Sequence, residues 1–391
     1  MSWMGSHGVG LGAGSAPAGP RRKAARWAAV GAAAAATVAA GMMAAPSALA
    51  VATIPVPCSV AALNAAITLA PSNAILVLKS GCVYRLTAPL PTITRNLTIA
   101  GSNDTITAFT GDYTILTNNG ADVALSQLRI TNADHSGPGA LAGAIFNTGG
   151  GSLSLTSVTL AGNSGPSGGA VFNNTGASLT VASSNFVGNE ATSALGGGGA
   201  IFQGALATTT ISGTTFLNNA ASSGSGGAIE NLGGFVTVLS NSASSFSDNF
   251  ANTQGGAIAS LLGSLNVTKA TFSDNTANAN GGAVANAGAS ATIAQSGFNG
   301  NRTNANGGAV ATATRLNLTS DTFTTNLAAT RGGAIYVTGG TTTLDTTKVF
   351  LNRAGTAGGG IFRLGGTVTF LNNSQVTLNF PNNCSGVICP T

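Results

Sequence analysis

Asp248 and Asp274 are the residues of this sequence whose type and spacing come nearest to chemistry. Each stands in Phe-Ser-Asp-Asn, one repeat apart. On adjacent turns of a coil they would lie about 4.8 Å from each other, the spacing of paired strands, and two carboxylates at that separation suit a cation. Glycoside hydrolysis asks for two carboxylates about 5–10 Å apart across a cleft. Lyase chemistry asks for clustered acids that hold calcium, with a basic residue beside them. No Lys or Arg occupies the neighbouring corner positions, and the next repeat puts Gly300 where Asp would continue the row. Solvated turn aspartates are therefore expected, with no catalytic residue, no metal site and no cofactor.

His135 is the one histidine after residue 50. It sits in Asn-Ala-Asp-His-Ser-Gly, which reads as a solvated loop. A nucleophilic triad needs Ser, His and an acid converging, and serine is too abundant here to point anywhere. The cysteines are Cys58, Cys82, Cys384 and Cys389. An even count in an exported chain favours disulfides. Of the three connectivities, Cys58–Cys82 with Cys384–Cys389 is preferred, because each pair sits at one end of the chain. The competing use is a zinc site, which these spacings do not suit.

Export is read from residues 1–50. Arg21, Arg22, Lys23 and Arg26 precede an apolar, Ala-rich stretch ending in Ser-Ala-Leu-Ala, the pattern of a signal peptide cleaved after Ala50. The sequence has 15 basic and 10 acidic residues; four basic and no acidic ones fall before residue 51, leaving 11 against 10, or +1. A nucleic-acid partner would need a basic patch, and none is expected. Nor is a membrane partner expected after signal cleavage. Localisation is read as extracellular, secreted or attached to the cell surface.

The elements that would position any site come from a repeat. Gly-Gly-Ala-Ile/Val recurs from Ala142-Gly143-Ala144-Ile145 to Gly358-Gly359-Gly360-Ile361 at intervals of 25–30 residues. In phase with it runs Phe-x-x-Asn, from Phe186…Asn189 to Phe323…Asn326, with Leu160…Asn163 and Val376…Asn379 as degenerate copies and Phe350…Arg353 as a broken one. Between the marks lie short alternating runs such as Ser152-Leu153-Ser154-Leu155, the period of half-buried strands. A unit this short buries its apolar face only by stacking on its neighbours. The expected fold is all-β, a right-handed parallel β-helix (solenoid) of 10–12 coils. Its Phe residues would form an internal column and its Asn residues a ladder. The expected divisions are a signal peptide to residue 50, an N-terminal cap and irregular first coils over 51–140, repeats over 141–379, and a C-terminal cap over 380–391. Residues 59–70 carry Val60, Leu63, Ala66 and Ile67 at helical spacing, a short N-terminal capping helix.

With Ile/Val pointing inward, the next residue points out. That series runs Phe146, Phe172, Phe202, Glu230, Ala259, Ala285, Ala311, Tyr336, Phe362. Phe146, Phe172 and Phe202 would stack as an exposed aromatic strip, the expected ligand-binding residues. The triplets Thr208-Thr209-Thr210 and Thr341-Thr342-Thr343 do not fall on consecutive coils, so an ice-binding face is not expected.

The paired marks over residues 142–379 resemble the repeat of chlamydial-type polymorphic outer membrane proteins and of secreted bacterial proteins with right-handed β-helix repeats. The stretches around Cys58, Gly81-Cys82-Val83-Tyr84 and Asn379-Phe380-Pro381 resemble the ends of such proteins in actinobacteria. The resemblance implies a β-helix passenger that acts as an adhesin ahead of a membrane barrel. Here the residues after the repeats leave no room for a barrel, and no sortase-type anchor is seen. The expected function is a non-enzymatic secreted or cell-surface scaffold with a glycan, cell-wall or surface-protein ligand. The alternative is a polysaccharide lyase or glycoside hydrolase acting on one β-face.

Overall fold

The computed structural model describes residues 51–137 and 140–390. The signal-peptide reading lies outside the described residues.

Every paired strand of the described chain is parallel, and the turns of the repeat region from Ser164 to Ala354 contribute strands to three sheets. The turn that follows Gly176 is representative. It runs Ser178–Ala182, bends, and continues as Asn185–Val187 in a long 23-stranded sheet. It then crosses as Glu190–Ala191 in an eight-stranded sheet and returns as Ile201–Gln203 in an eleven-stranded sheet. Thirteen strands stack along the first half of the long sheet, giving a solenoid of about 13 turns, one more than the upper expectation. The excess comes from strands such as Thr53–Val56, Ala74–Leu78 and Leu97–Ala108. These coil without the Gly-Gly-Ala and Phe-x-x-Asn marks, so counting marks undercounts turns.

Each mark has a mechanical role. Rings of Phe186, Phe216, Phe246, Phe272, Phe298 and Phe323 stack with centroids 4.5–4.9 Å apart and planes within 9° of parallel. All six are fully buried. The Asn side chains form a buried ladder. Asn249 Oδ1 accepts from the backbone N–H and the Nδ2 of Asn219, while its own Nδ2 donates to Phe216 O and Asn275 Oδ1. The ladder satisfies backbone groups at a corner that regular sheet pairing leaves open. It also corrects the reading at Phe350…Arg353. Val349 is the register partner of Phe323, and Asn352 accepts from Asn326 N–H, so the motif continues unbroken as Val349…Asn352.

In the Gly-Gly pair the two glycines act differently. Gly226 has φ +65°, the left-handed region that a side chain disfavours. A Cβ on Gly227 would strike Gly256 O of the next turn. One glycine turns the chain and the other lets two turns approach.

The N-terminal end is covered by α1 (Val60–Leu69), which buries Leu63 and Ile67. Ser59 caps it, its side chain accepting from Ala62 N–H. Cys58 is bonded to Cys82, with Cα atoms 5.5 Å apart, and Cys384 to Cys389, with Cα atoms 5.8 Å apart.

Candidate functional site

The Gly-Gly-Ala sheet was expected to carry the ligand contacts. Its register stacks Phe146 on Phe172 and Phe172 on Phe202. The rings touch, with centroids 5.5 and 4.6 Å apart. They are not an open strip. Phe172 is 9% exposed and Phe202 6%, and both pack with Ala142 and Leu232 in a small cluster outside the main core. The cover comes from the chain itself. Phe172 is sandwiched between Phe146 and Phe202 on the neighbouring turns, and Ala142 and Leu232 pack against the rings. Phe146 alone of the three is half-buried, and it lines a cleft of about 280 Å³ with Tyr113, Thr117 and His135.

His135 is not the free loop residue expected. Its Nδ1 is 2.9 Å from Thr114 Oγ1 and 3.2 Å from Ala142 O, and Thr114 Oγ1 donates to Ala142 O at 2.7 Å. His135 Nδ1 and Thr114 Oγ1 thus both close on the Ala142 carbonyl. Nε2 then faces Asp112 Oδ1 at 4.0 Å. This order binds a loop in place and leaves no free hydroxyl for nucleophilic attack.

Glu230 continues the outward series between Phe202 and Ala259. It is 5% exposed, and its Oε2 is buried without a hydrogen bond. Burial raises its carboxyl to about 7. Gly197 makes the room, since a Cβ there would meet Glu230 Oε2.

Asp248 and Asp274 occupy left-handed corner positions on adjacent turns, each with φ 55°. Ser247 and Ser273, the residues before them, are register partners. Among the described residues no Lys or Arg nitrogen lies within 4.0 Å of either carboxylate, and no group of three or more candidate metal ligands occurs.

The long sheet presents a face that sequence reading missed. Its outward positions align Ser154, Thr180, Thr210, Thr237, Asn266, Thr292, Asn317, Thr343 and Thr369 on nine successive turns. Every member is a hydroxyl or a carboxamide. Two residues earlier in each strand runs a parallel column with Ser152, Ser178, Thr208, Ser264, Ser290, Thr341 and Thr367, interrupted by Phe235 and Arg315. The two columns make a grid of about 4.8 by 6.6 Å, the strand spacing and twice the rise per residue. The threonine triplets are indeed on separate coils. Single outward residues, one per turn, build the grid instead.

Phe235 rises from this grid with 53% of its surface exposed. Beside it lies a hollow of about 130 Å³ lined by Thr237, Ser264, Asn266, Ser290 and Thr292. A second hollow, of about 290 Å³, opens on the same face near Asn96, Asp122 and Ser152. An aromatic face among groups that both donate and accept hydrogen bonds is the chemistry that holds a sugar ring.

Comparison with known proteins gives a match to the Chlamydia polymorphic membrane protein (Chlamydia_PMP) repeat over residues 243–261, 269–287 and 322–338. These segments fall on the Phe-x-x-Asn and Gly-Gly-Ala strands. No curated protein matches. Among solved structures, the chain is similar to the catalytic unit of a thermostable GH87 α-1,3-glucanase from Streptomyces thermodiastaticus strain HF3-3, at 15% identity and a TM-score of 0.45. That likeness covers 84% of this chain and 66% of the glucanase unit, just under two thirds of its length. It is similar to bacteriophage CBA120 tailspike protein 3 at 12% identity and a TM-score of 0.35, over 85% of this chain and 59% of the tailspike. It is similar to an alginate lyase from Paenibacillus sp. str. FPU-7 at 11% identity and a TM-score of 0.23, over 82% and 98%. At these identities and scores none of the three bears on activity.

Proposed function

We propose that this polymorphic-membrane-protein-type β-helix repeat protein is a non-enzymatic scaffold, secreted or held at a cell surface, that binds neutral glycan along the outer face of its long sheet. The observation that carries the reading is Phe235, exposed in the middle of a nine-turn grid of hydroxyl and carboxamide groups. A sugar ring stacks on the phenyl face, and its hydroxyls exchange hydrogen bonds with Thr237, Ser264 and Asn266. The grid bears little charge, so a neutral chain displaces water from it without stripping ions. The repeat type supports a surface location. Among the described residues no helix is long and apolar enough to cross a membrane. Phe146, at the mouth of the His135 cleft, is the member of the aromatic series that keeps a ligand-binding role in this reading; Phe172 and Phe202 serve packing.

The test is retention of the purified protein on a panel of immobilised neutral polysaccharides. Phe235→Ala should weaken retention on the best binder about tenfold, which is about 1.4 kcal/mol, with the unfolding midpoint unchanged. Equal retention of the variant would remove Phe235 from the site. The second reading is a polysaccharide lyase or glycoside hydrolase acting on one β-face, and Glu230, beside Phe202 on the Gly-Gly-Ala sheet, is the carboxyl to test in it. Release of reducing or unsaturated ends that disappears in Glu230→Gln would replace the binding reading with that one.

A further inference from the structure

A separate cleft of about 410 Å³ opens at the N-terminal end of the molecule, on the second half of the long sheet. It is lined by Arg85, Thr107, Phe109, Asn132 and Asp134 among others. It lies on the early turns that carry no repeat marks. Arg85 is the register partner of Thr107, and Thr107 of Thr131, so the arginine stands on the outward face at the first of these turns. Its guanidinium carbon is 5.7 Å from the ring centroid of Phe109, a residue that is 60% exposed. Among the described residues no carboxylate lies within 4.0 Å of Arg85. Asn132 holds the floor, its Nδ2 donating to Thr107 Oγ1 at 3.3 Å.

A guanidinium seated on an aromatic face keeps its edge free for a planar bidentate partner. The carboxylate of a sugar acid matches that edge through two parallel charge-assisted hydrogen bonds. The exposed Phe109 ring accepts the apolar face of the same sugar. Asp134 also lines the cleft, where its carboxylate would accept from sugar hydroxyls and repel the acid of the ligand. The two charges thus orient the ligand with its acid toward Arg85. Arg129, also exposed, lies one turn beyond Thr105 on the same face, where a polymer would present its next acidic group.

We propose that this cleft is a binding site for a carboxylated sugar, the uronic-acid residue of an anionic polysaccharide. It is distinct from the sugar site at Phe235, a residue six turns further along the solenoid, about 29 Å away at the strand spacing.

The test is titration calorimetry of the protein with oligogalacturonate and with the same oligosaccharide fully methyl-esterified. The free acid should bind, and more weakly as salt is raised; the ester should not. Arg85→Gln and Phe109→Ala should each weaken binding at least tenfold with the unfolding midpoint unchanged. Arg85→Lys, which keeps the charge and loses the fork, should fall between. Phe235→Ala should leave this binding intact, so failure of the neutral-glycan reading and failure of this one are separable. Equal affinity for acid and ester, no binding of the acid, or an Arg85→Gln variant that binds like the parent would each overturn the proposal.

Discussion

Thr342 shows how strictly single positions inside the coil are assigned. It stacks between Leu316 and Val368 in an inward column, fully buried, and its hydroxyl has no hydrogen-bond partner. Burying an unpaired hydroxyl costs about 1–3 kcal/mol. Thr342→Val keeps the branched shape and removes that cost, so the variant should be more stable by about 1–2 kcal/mol, read as a higher midpoint in denaturant titration. A lower midpoint would mean the hydroxyl has a partner after all. Thr209 occupies the same kind of inward position and makes the contrast, since its hydroxyl donates to Gln203. The same residue type is satisfied on one turn and stranded on another.

At the level of the element, the Asn ladder is the feature most exposed to a single change. Asn249→Ala removes four side-chain hydrogen bonds at once and leaves Asn219 N–H and Phe216 O buried without their partners. The expected loss is roughly 3–5 kcal/mol, the sum of the lost bonds and the stranded groups. The element also explains the hidden aromatic strip. An inward Ile or Val does force the following residue outward. What then covers Phe172 and Phe202 is the packing of neighbouring turns, each ring on the next with Ala142 and Leu232 against them, which strand alternation does not encode.

For the whole molecule, two buried acids set the dependence of stability on pH. Burial raises Glu230 to about 7. Burial also raises Asp321 to about 7, against the backbone N–H groups of Ser296 and Thr319 that pull it down. Both folded values lie above the unfolded ones, near 4. Their contribution to stability is therefore full below about pH 4 and is lost as pH rises to about 7. Each group accounts for roughly 3–4 kcal/mol over that window. Unfolding midpoints should fall from pH 4.5 to pH 8, and Glu230→Gln with Asp321→Asn should flatten the slope. A parent protein whose midpoint is unchanged or rises between those pH values would contradict the assignment.

The repeat marks determined the coil, the Phe column and the Asn ladder, because each is a local requirement renewed every turn and therefore periodic in the sequence. The pairing of the cysteines and the capping helix were also legible, from end position and from helical spacing. Other features depended on the tertiary structure. The shift from Phe350…Arg353 to Val349…Asn352 needed the strand register. The burial of Phe172 and Phe202 needed the packing of Ala142 and Leu232 against them, which no periodicity encodes. The hydroxyl grid was invisible for a related reason: its members are one residue per turn, 25–30 positions apart and of mixed type, so only stacking brings them into a line. Arg85 and Phe109 meet across turns that carry no marks at all. Sequence determined what every turn must satisfy alike, and the three-dimensional path decided which of the remaining side chains share a surface.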